Sequence, residues 1–289
     1  MQAPNKLKKG DNVALLAPAG PCDAFRTKGS IEILESRGLQ AHVMKSCYSH
    51  NGYLAGEDKV RANDIMEAFV NPDIKGIFAF RGGYGSQRLL PLLDYDVISK
   101  HPKIFAGYSD ITALHIVLNQ RCGLITYHSP MPGIEFCKPD LDAYTVNSFL
   151  GHIIEGFSPP ELTYESLSYG NATGMLTGGN LSLVSSSLGT PYEIDTKEKI
   201  LFLEEIQEEP YRIDRMLLQL KHSGKLDDCQ AIILGSFSPE TITSLHQAID
   251  EILLPLGKPL GVNLPCGHCI PNATLPLGKI TCMADGQVY

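Results

Sequence analysis

From residue 12 onward the chain alternates short apolar runs with longer amphipathic stretches, and that alternation narrows the fold to βαβ units around a largely parallel sheet. Strands are expected at 12–17, 40–44, 74–80, 104–108 and 124–128, with helices near 24–37, 57–69, 86–99 and 110–119 between them. Ligands of such sheets gather beyond the carboxyl ends of the strands, so the loops that follow these runs are where chemistry is expected. After a further helical stretch over 141–157 the alternation stops at Ser158-Pro159-Pro160, and a polar segment rich in Tyr, Ser, Asn and Gly runs to Thr173. The expected organisation is an N-terminal doubly wound α/β domain over 1–158, a linker over 159–170 and a smaller C-terminal α/β domain over 171–289. The second half offers apolar runs at 200–203 and 231–234 and helical patterns at 213–222 and 242–254.

Composition sets the outer limits. With 289 residues, 43% of them hydrophobic and 19% charged, the chain is long enough for two cores and too apolar to be disordered. Its net charge of −8 is opposite in sign to the basic footprint that phosphate neutralisation requires, which argues against a nucleic-acid partner. No apolar run approaches the roughly 20 residues of a membrane span, and the polar start, with three lysines before Asp11, lacks the apolar core of a secretory signal. A soluble, cytoplasmic protein is expected. The eight cysteines are scattered through a chain that needs no staples, so they read as reduced core thiols.

Four segments carry residue types that chemistry needs. Gly107-Tyr108-Ser109-Asp110-Ile111-Thr112 follows an apolar run and opens a helical pattern. A serine on such a turn exposes its hydroxyl beside free helical N–H groups, as a nucleophile requires, although the same residue also serves as a plain helix cap. A serine hydroxyl needs a base held in one tautomer by a carboxylate. Of the nine histidines, His268 is distinguished by the rigid loop Pro265-Cys266-Gly267-His268-Cys269-Ile270-Pro271-Asn272. The run Leu201-Phe202-Leu203-Glu204-Glu205 ends a buried strand in acid. Its two glutamates face opposite ways, so one points toward the site end, unless both are solvated strand-end charges. Arg81-Gly82-Gly83-Tyr84-Gly85-Ser86 follows another strand, and its backbone N–H groups suit an anion cradle or an oxyanion hole without matching either nucleotide-binding glycine pattern. Gly178-Gly179-Asn180-Leu181-Ser182 reads equally as a turn with a helix cap.

Cys266-Gly267-His268-Cys269 has the spacing of a thiol–disulfide exchange motif, which makes a redox enzyme the competing class. Such motifs open a helix, whereas Pro271 and Pro276 follow here and no helix can start. A zinc site through Cys266, His268 and Cys269 lacks a recognisable fourth ligand.

Taken together in this order, these segments resemble the LD-carboxypeptidases, also called muramoyltetrapeptide carboxypeptidases, which are serine peptidases with a Ser-Glu-His triad. The resemblance also covers Leu16-Ala17-Pro18-Ala19-Gly20, Gly189-Thr190-Pro191-Tyr192, Pro210-Tyr211-Arg212-Ile213-Asp214-Arg215 and Pro271-Asn272-Ala273-Thr274-Leu275-Pro276-Leu277-Gly278. It implies that Ser109 is the nucleophile, His268 the general base and then acid, and Glu204 the carboxylate that orients His268. It implies an oxyanion hole of the Asp110 and Gly83 backbone N–H groups, an active site at the interface of the two domains, no metal or cofactor, and a homodimer. The implied reaction releases terminal D-alanine from murein tetrapeptide during cell-wall recycling. Because the chain is acidic, recognition of the substrate carboxylate needs a local cation, and Arg81 is the candidate, with a salt bridge as its other reading. Where relatives often carry His-Gly-Pro, this chain has His128-Ser129-Pro130. A related branch detoxifies microcin-type peptidyl-nucleotide antibiotics, often stacking the base on tryptophan, and this chain has none.

Overall fold

The computed structural model describes residues 1–138, 140–237 and 245–289. The chain divides into two compact units, Met1–Pro160 with Thr274–Pro276, and Glu161–Ala273 with Leu277–Tyr289. Among the described residues the first unit is built on a six-stranded sheet and the second on an eight-stranded one.

In the first unit, β1 (Asn12–Leu16), β2 (Gln40–Val43), β3 (Ile74–Ala79), β4 (Ile104–Gly107) and β5 (Thr126–His128) are joined by helices α1 (Ala24–Ser36), α2 (Asp58–Val70), α3 (Tyr95–Ser99) and α4 (Thr112–Cys122). The strands lie in the order β2-β1-β3-β4-β5 and pair in parallel, as alternating short strands and helices dictate. β1, β3 and β4 are almost wholly buried, which is why they read as continuous apolar runs rather than alternating ones. Local signals set the helix ends. The Asp23 side chain accepts from the Arg26 N–H to start α1, and α4 stops at left-handed Gly123 (φ 63°). The single helix expected over 86–99 is divided: a 3₁₀ helix, Ser86–Leu92, contains Pro91, and Asp94 then caps α3. Proline removes an N–H donor and disfavours α-geometry in the residue before it, so one continuous helix cannot form. Helix α5 (Ala143–Ile153) completes the set, capped by Asp142.

The second unit has the order β6-β14-β13-β8-β9-β10-β11-β7, with β8 (Ala172–Asn180), β9 (Lys199–Glu204), β10 (Ala231–Leu234) and β11 (Leu260–Val262) parallel. The segment expected as a linker carries β6 (Leu162–Thr163) and β7 (Glu165–Ser168), the sheet's two outer strands. Its polar residues suit antiparallel edge strands with one wet face, which composition alone does not separate from a linker. β13 (Ile280–Ala284) and β14 (Gln287–Val288) pair antiparallel on the other side of β8. Between β8 and β10 in sequence run α6 (Leu181–Ser186), α7 (Pro210–His222) and α8 (Lys225–Asp228), with proline at the first turn of α7 where a missing N–H does no harm. Of the helix expected over 242–254, residues 242–244 lie outside the described residues, and Ile249–Leu253 winds as a π-helical turn. The Thr274-Leu275-Pro276-Leu277 stretch, which follows the rigid 265–272 loop and is not among the expected strands, forms β12 (Leu275–Leu277) and extends the first sheet beyond β5. Pro276 is tolerated there because an edge strand leaves one side of its backbone unpaired.

One buried hydrogen-bond chain ties the end of β4 to β5. His115 on α4 has no exposed surface, and its Nε2–H donates to the Gly107 carbonyl at 2.8 Å. A carbonyl can only accept, so Nδ1 is the acceptor and takes the Thr126 hydroxyl proton at 2.9 Å, while the Asn119 amide donates to that same hydroxyl at 3.1 Å. Burial lowers the His115 pKa to about 4, against about 6.5 in an unfolded chain. Between those values the unfolded chain binds the extra proton, so stability present above about pH 6.5 is lost as acid approaches pH 4, by about 3 kcal/mol in all. Urea unfolding across this range is expected to show that loss, and to show it flattened in His115→Gln; equal slopes for the two proteins would rule it out.

Candidate active site

Three loops meet at the carboxyl ends of β1, β3 and β4 in the first unit. Ser109, one residue past Tyr108 at the end of β4, is held at φ 66°, a left-handed conformation that costs a non-glycine residue about 1–3 kcal/mol. It opens a short 3₁₀ helix, Ser109–Ile111, and the cap position of α4 belongs to Ile111. The glycine loop after β3 lies directly over it. A Cβ on Gly82 would stand 2.9 Å from Ser109 Cβ, 3.0 Å from its Oγ and 3.5 Å from the Asp110 nitrogen. On the other side, a Cβ on Gly83 would stand 3.2 Å from the Gly20 nitrogen, and the Gly20 N–H donates to the Gly82 carbonyl at 3.2 Å. A side chain on Gly82 would crowd Ser109 itself, and one on Gly83 would crowd the Gly20 backbone at a φ of 123° that favours glycine.

Asp110 fastens the far end of the glycine loop. Its buried carboxylate accepts from the Ser86 N–H at 2.8 Å and the Gly85 N–H at 3.3 Å, and the Ser86 hydroxyl donates back to the Asp110 carbonyl. Burial raises its pKa against the lowering effect of those donors. Tyr108, on the other side of Ser109, donates its phenol to buried Glu135 at 2.8 Å, and Glu135 also accepts the Met131 N–H at 2.8 Å. The Ser129 N–H of the His128-Ser129-Pro130 loop joins His115 in donating to Gly107 O, at 3.1 Å. Arg81 lies along Gly20, with its Nε donating to Gly82 O at 3.3 Å. Among the described residues it forms no ion pair.

In the second unit Glu204 and His268 meet. Glu204 ends β9 opposite Asn180 of β8, and its side chain has no exposed surface. His268 Nδ1 lies 2.7 Å from Glu204 Oε2. A carboxylate oxygen accepts, so Nδ1 carries the hydrogen of this contact. Gly267 (φ 111°) makes the approach possible, since a Cβ there would fall 2.6 Å from Glu204 Oε2. The loop around it is tied at both ends: Gly267 N–H donates to Asn272 Oδ1 at 3.0 Å, and Ala273 N–H to Pro265 O at 2.7 Å. Glu205 turns the opposite way, accepting from the Ser182 N–H and hydroxyl, the Ile206 N–H and the Asn180 amide. Burial raises its pKa, and the neighbouring Glu204 adds to the rise. Asn180 ends β8, where a turn is expected, and supplies the expected helix cap by accepting from the Leu183 N–H at the start of α6.

Among the described residues the cysteines of the Cys-x-x-Cys motif form no disulfide, and neither sits at a helix start. Cys266 is fully buried, which drives its thiol pKa well up, and it donates to Ala273 O at 3.2 Å; Cys269 donates to Pro271 O at 3.0 Å. A thiol of that kind resists the deprotonation that exchange chemistry needs. Among the described residues no group of three or more His, Cys, Asp or Glu side chains is arranged to hold a metal ion, and no helix is long and apolar enough to cross a membrane. Two buried groups beside the serine loop escaped the sequence reading. His115 looked like an ordinary helical histidine, and Arg61 of α2 carried no motif.

Residues 13–129 match the model of the LD-carboxypeptidase N-terminal domain and residues 173–283 that of the LD-carboxypeptidase C-terminal domain. The probable murein peptide carboxypeptidase of Bacillus subtilis (strain 168) is 41% identical, over 98% of this chain and 92% of that protein. Among solved structures, the muramoyltetrapeptide carboxypeptidase from Oxalobacter formigenes matches with a TM-score of 0.83 and 32% identity, covering 96% of this chain and 97% of that one. An MccF-like protein from Bacillus anthracis matches with a TM-score of 0.91 and 27% identity, covering 100% and 98%. With both domains matched in order and a relative so similar along nearly its whole length, the chain belongs to the LD-carboxypeptidase family.

Proposed function

We propose that the protein is a serine-type LD-carboxypeptidase that hydrolyses the bond between an L-centre and a terminal D-amino acid, releasing D-alanine from murein tetrapeptide. The observation that carries this reading is the Glu204–His268 hydrogen bond, which leaves His268 Nε2 as a base with its tautomer fixed. Ser109 is the nucleophile. Its Oγ attacks the scissile carbonyl carbon as its proton passes to His268 Nε2, and the resulting oxyanion is taken by the Asp110 and Gly83 backbone N–H groups. The protonated imidazole then gives its proton to the leaving amine. A water molecule, deprotonated by the same nitrogen, releases the acyl group from Ser109. The strained turn of Ser109 and the glycine loop laid over it support this assignment, because donors fixed in advance stabilise charge only where they cannot relax away. Losing one such donor costs about 10²–10³ in rate.

Arg81 supplies the cation for the substrate's terminal carboxylate, a role its position beside the glycine loop and its lack of an ion pair among the described residues both favour. The protein works in the cytoplasm as a homodimer. The MccF-like neighbour favours a second reading, in which the amide belongs to a peptidyl-nucleotide and a Tyr or Phe replaces the absent tryptophan as the stacking surface.

Incubation of the purified protein with murein tetrapeptide, followed by mass spectrometry, is expected to reveal free D-alanine. Ser109→Ala is expected to abolish its release, and Glu204→Gln to lower kcat by about 10⁴ because the imidazole loses its correct tautomer. Release by wild type and Ser109→Ala alike, or cleavage of a peptidyl-nucleotide in its place, would overturn the reading. Arg81→Ala is expected to raise KM at least tenfold while leaving kcat within about threefold, as loss of uniform binding does; an unchanged KM would remove Arg81 from the substrate site.

A further inference from the structure

Arg61 of α2 has no exposed surface, yet it belongs to none of the groups assigned to the reaction. Its Nη1 donates to the Pro18 carbonyl at 2.5 Å and to the Gly85 carbonyl at 3.0 Å, while Nη2 donates to the Asp58 carboxylate. Asp58 is held in turn by Arg88, whose Nε lies 2.9 and 3.0 Å from its two oxygens. Gly85 is shaped around this contact: at φ 124°, a Cβ there would fall 2.9 Å from Arg61 Nη1 and 2.5 Å from Leu54 Cδ2.

The two carbonyls belong to the loops after β1 and β3, of which the second carries Gly83, one of the two proposed oxyanion donors, and the first packs against it. Pro18 lies two residues before Gly20, whose N–H donates to Gly82 O, so the first tether fixes the start of the glycine loop. Gly85 closes that loop, and its peptide groups are gripped on both sides, the C=O by Arg61 and the N–H by the Asp110 carboxylate. Gly82, between these anchors, is the residue packed on Ser109 Oγ. A charge removed from water is an expensive way to hold two loops unless their exact relation matters, and only a guanidinium presents several N–H groups in one rigid plane.

We infer that Arg61 is a positioning residue for catalysis: by holding Pro18 O and Gly85 O on the N–H groups of Nη1 while Nη2 is anchored on Asp58, it sets the glycine loop at the height over Ser109 at which the Gly83 N–H meets the oxyanion. This rests on the reading of Ser109 and the Gly83 and Asp110 N–H groups given above. Because the oxyanion exists only along the reaction path, displacement of the loop lowers kcat and leaves substrate binding largely alone.

The test uses the full-length enzyme with Arg61→Lys and Asp58→Asn. Measured are kcat and KM for tetrapeptide, the unfolding temperature, and the rate at which a fluorophosphonate labels Ser109. The guanidinium serves both carbonyls through Nη1 and Asp58 through Nη2 in one rigid plane, which an ammonium on a flexible stem does not reproduce, so Arg61→Lys is expected to lower kcat and the labelling rate by about 10–100-fold, with KM within about twofold of wild type. Asp58→Asn, which leaves Arg61 in place with a weaker anchor, is expected to lower the same two quantities by about three- to tenfold. A folded Arg61→Lys with kcat and labelling within twofold of wild type overturns the inference. If that variant does not fold, Asp58→Asn decides, and unchanged kcat and labelling overturn it. Wild-type protein that labels at Ser109 but releases no D-alanine defeats the substrate reading alone, and the labelling rates still judge Arg61. Absence of labelling in wild type overturns both.

Discussion

Backbone packed against backbone is the constraint on which the first unit's reactive end depends. The loops after β1, β3 and β4 approach so closely that a Cβ on Gly20, Gly82 or Gly83 would lie 3.0, 2.9 or 3.2 Å from an atom of a neighbouring loop. Such an approach leaves peptide groups, rather than side chains, facing Ser109, and peptide groups cannot be steered by rotamers. They must be aimed by what lies behind them. Asp110, Arg61 and His115 do that aiming from buried positions, each with at least one hydrogen bond to main-chain atoms of residues 18, 85, 86 or 107.

The second unit solves the matching problem for a base. An imidazole is useful only if one nitrogen is committed and the other is available. Glu204 commits Nδ1, Gly267 lets the two groups touch, and the loop hydrogen bonds of Asn272 and Pro265 fix the ring's backbone. The neighbouring Glu205 shows what the alternation of a strand does to two identical residues. One carboxylate meets a histidine, and the other is consumed in holding the start of α6. Nothing in the residue types distinguishes them; the facing of β9 does.

The Cys-x-x-Cys spacing shows how a motif can mislead when its context is ignored. Its two sulfurs donate to carbonyls of their own loop, and the first is buried too deeply to act as a thiolate. The prolines that follow in sequence already exclude the helix that activates such a cysteine, so the correct weighting was available before any coordinates. The 86–99 segment carries the same lesson. Pro91 was visible in the sequence and breaks the helix that the apolar spacing alone suggests.

The sequence by itself determined the parallel α/β character of the first unit, the positions of its strands, and the segments in which a reactive serine, histidine and acid stand, because hydrophobic period and turn chemistry are local properties. It did not determine that polar residues 162–168 are edge strands, that 275–277 extends the first sheet, or that Arg61 and His115 hold the serine's surroundings; Glu204 rather than Glu205 is singled out only by the family resemblance, and the folded chain brings that residue to His268. Each of those depends on partners tens of residues away, and an edge strand or a buried cation has no signature of its own until the chain that satisfies its hydrogen bonds is folded against it.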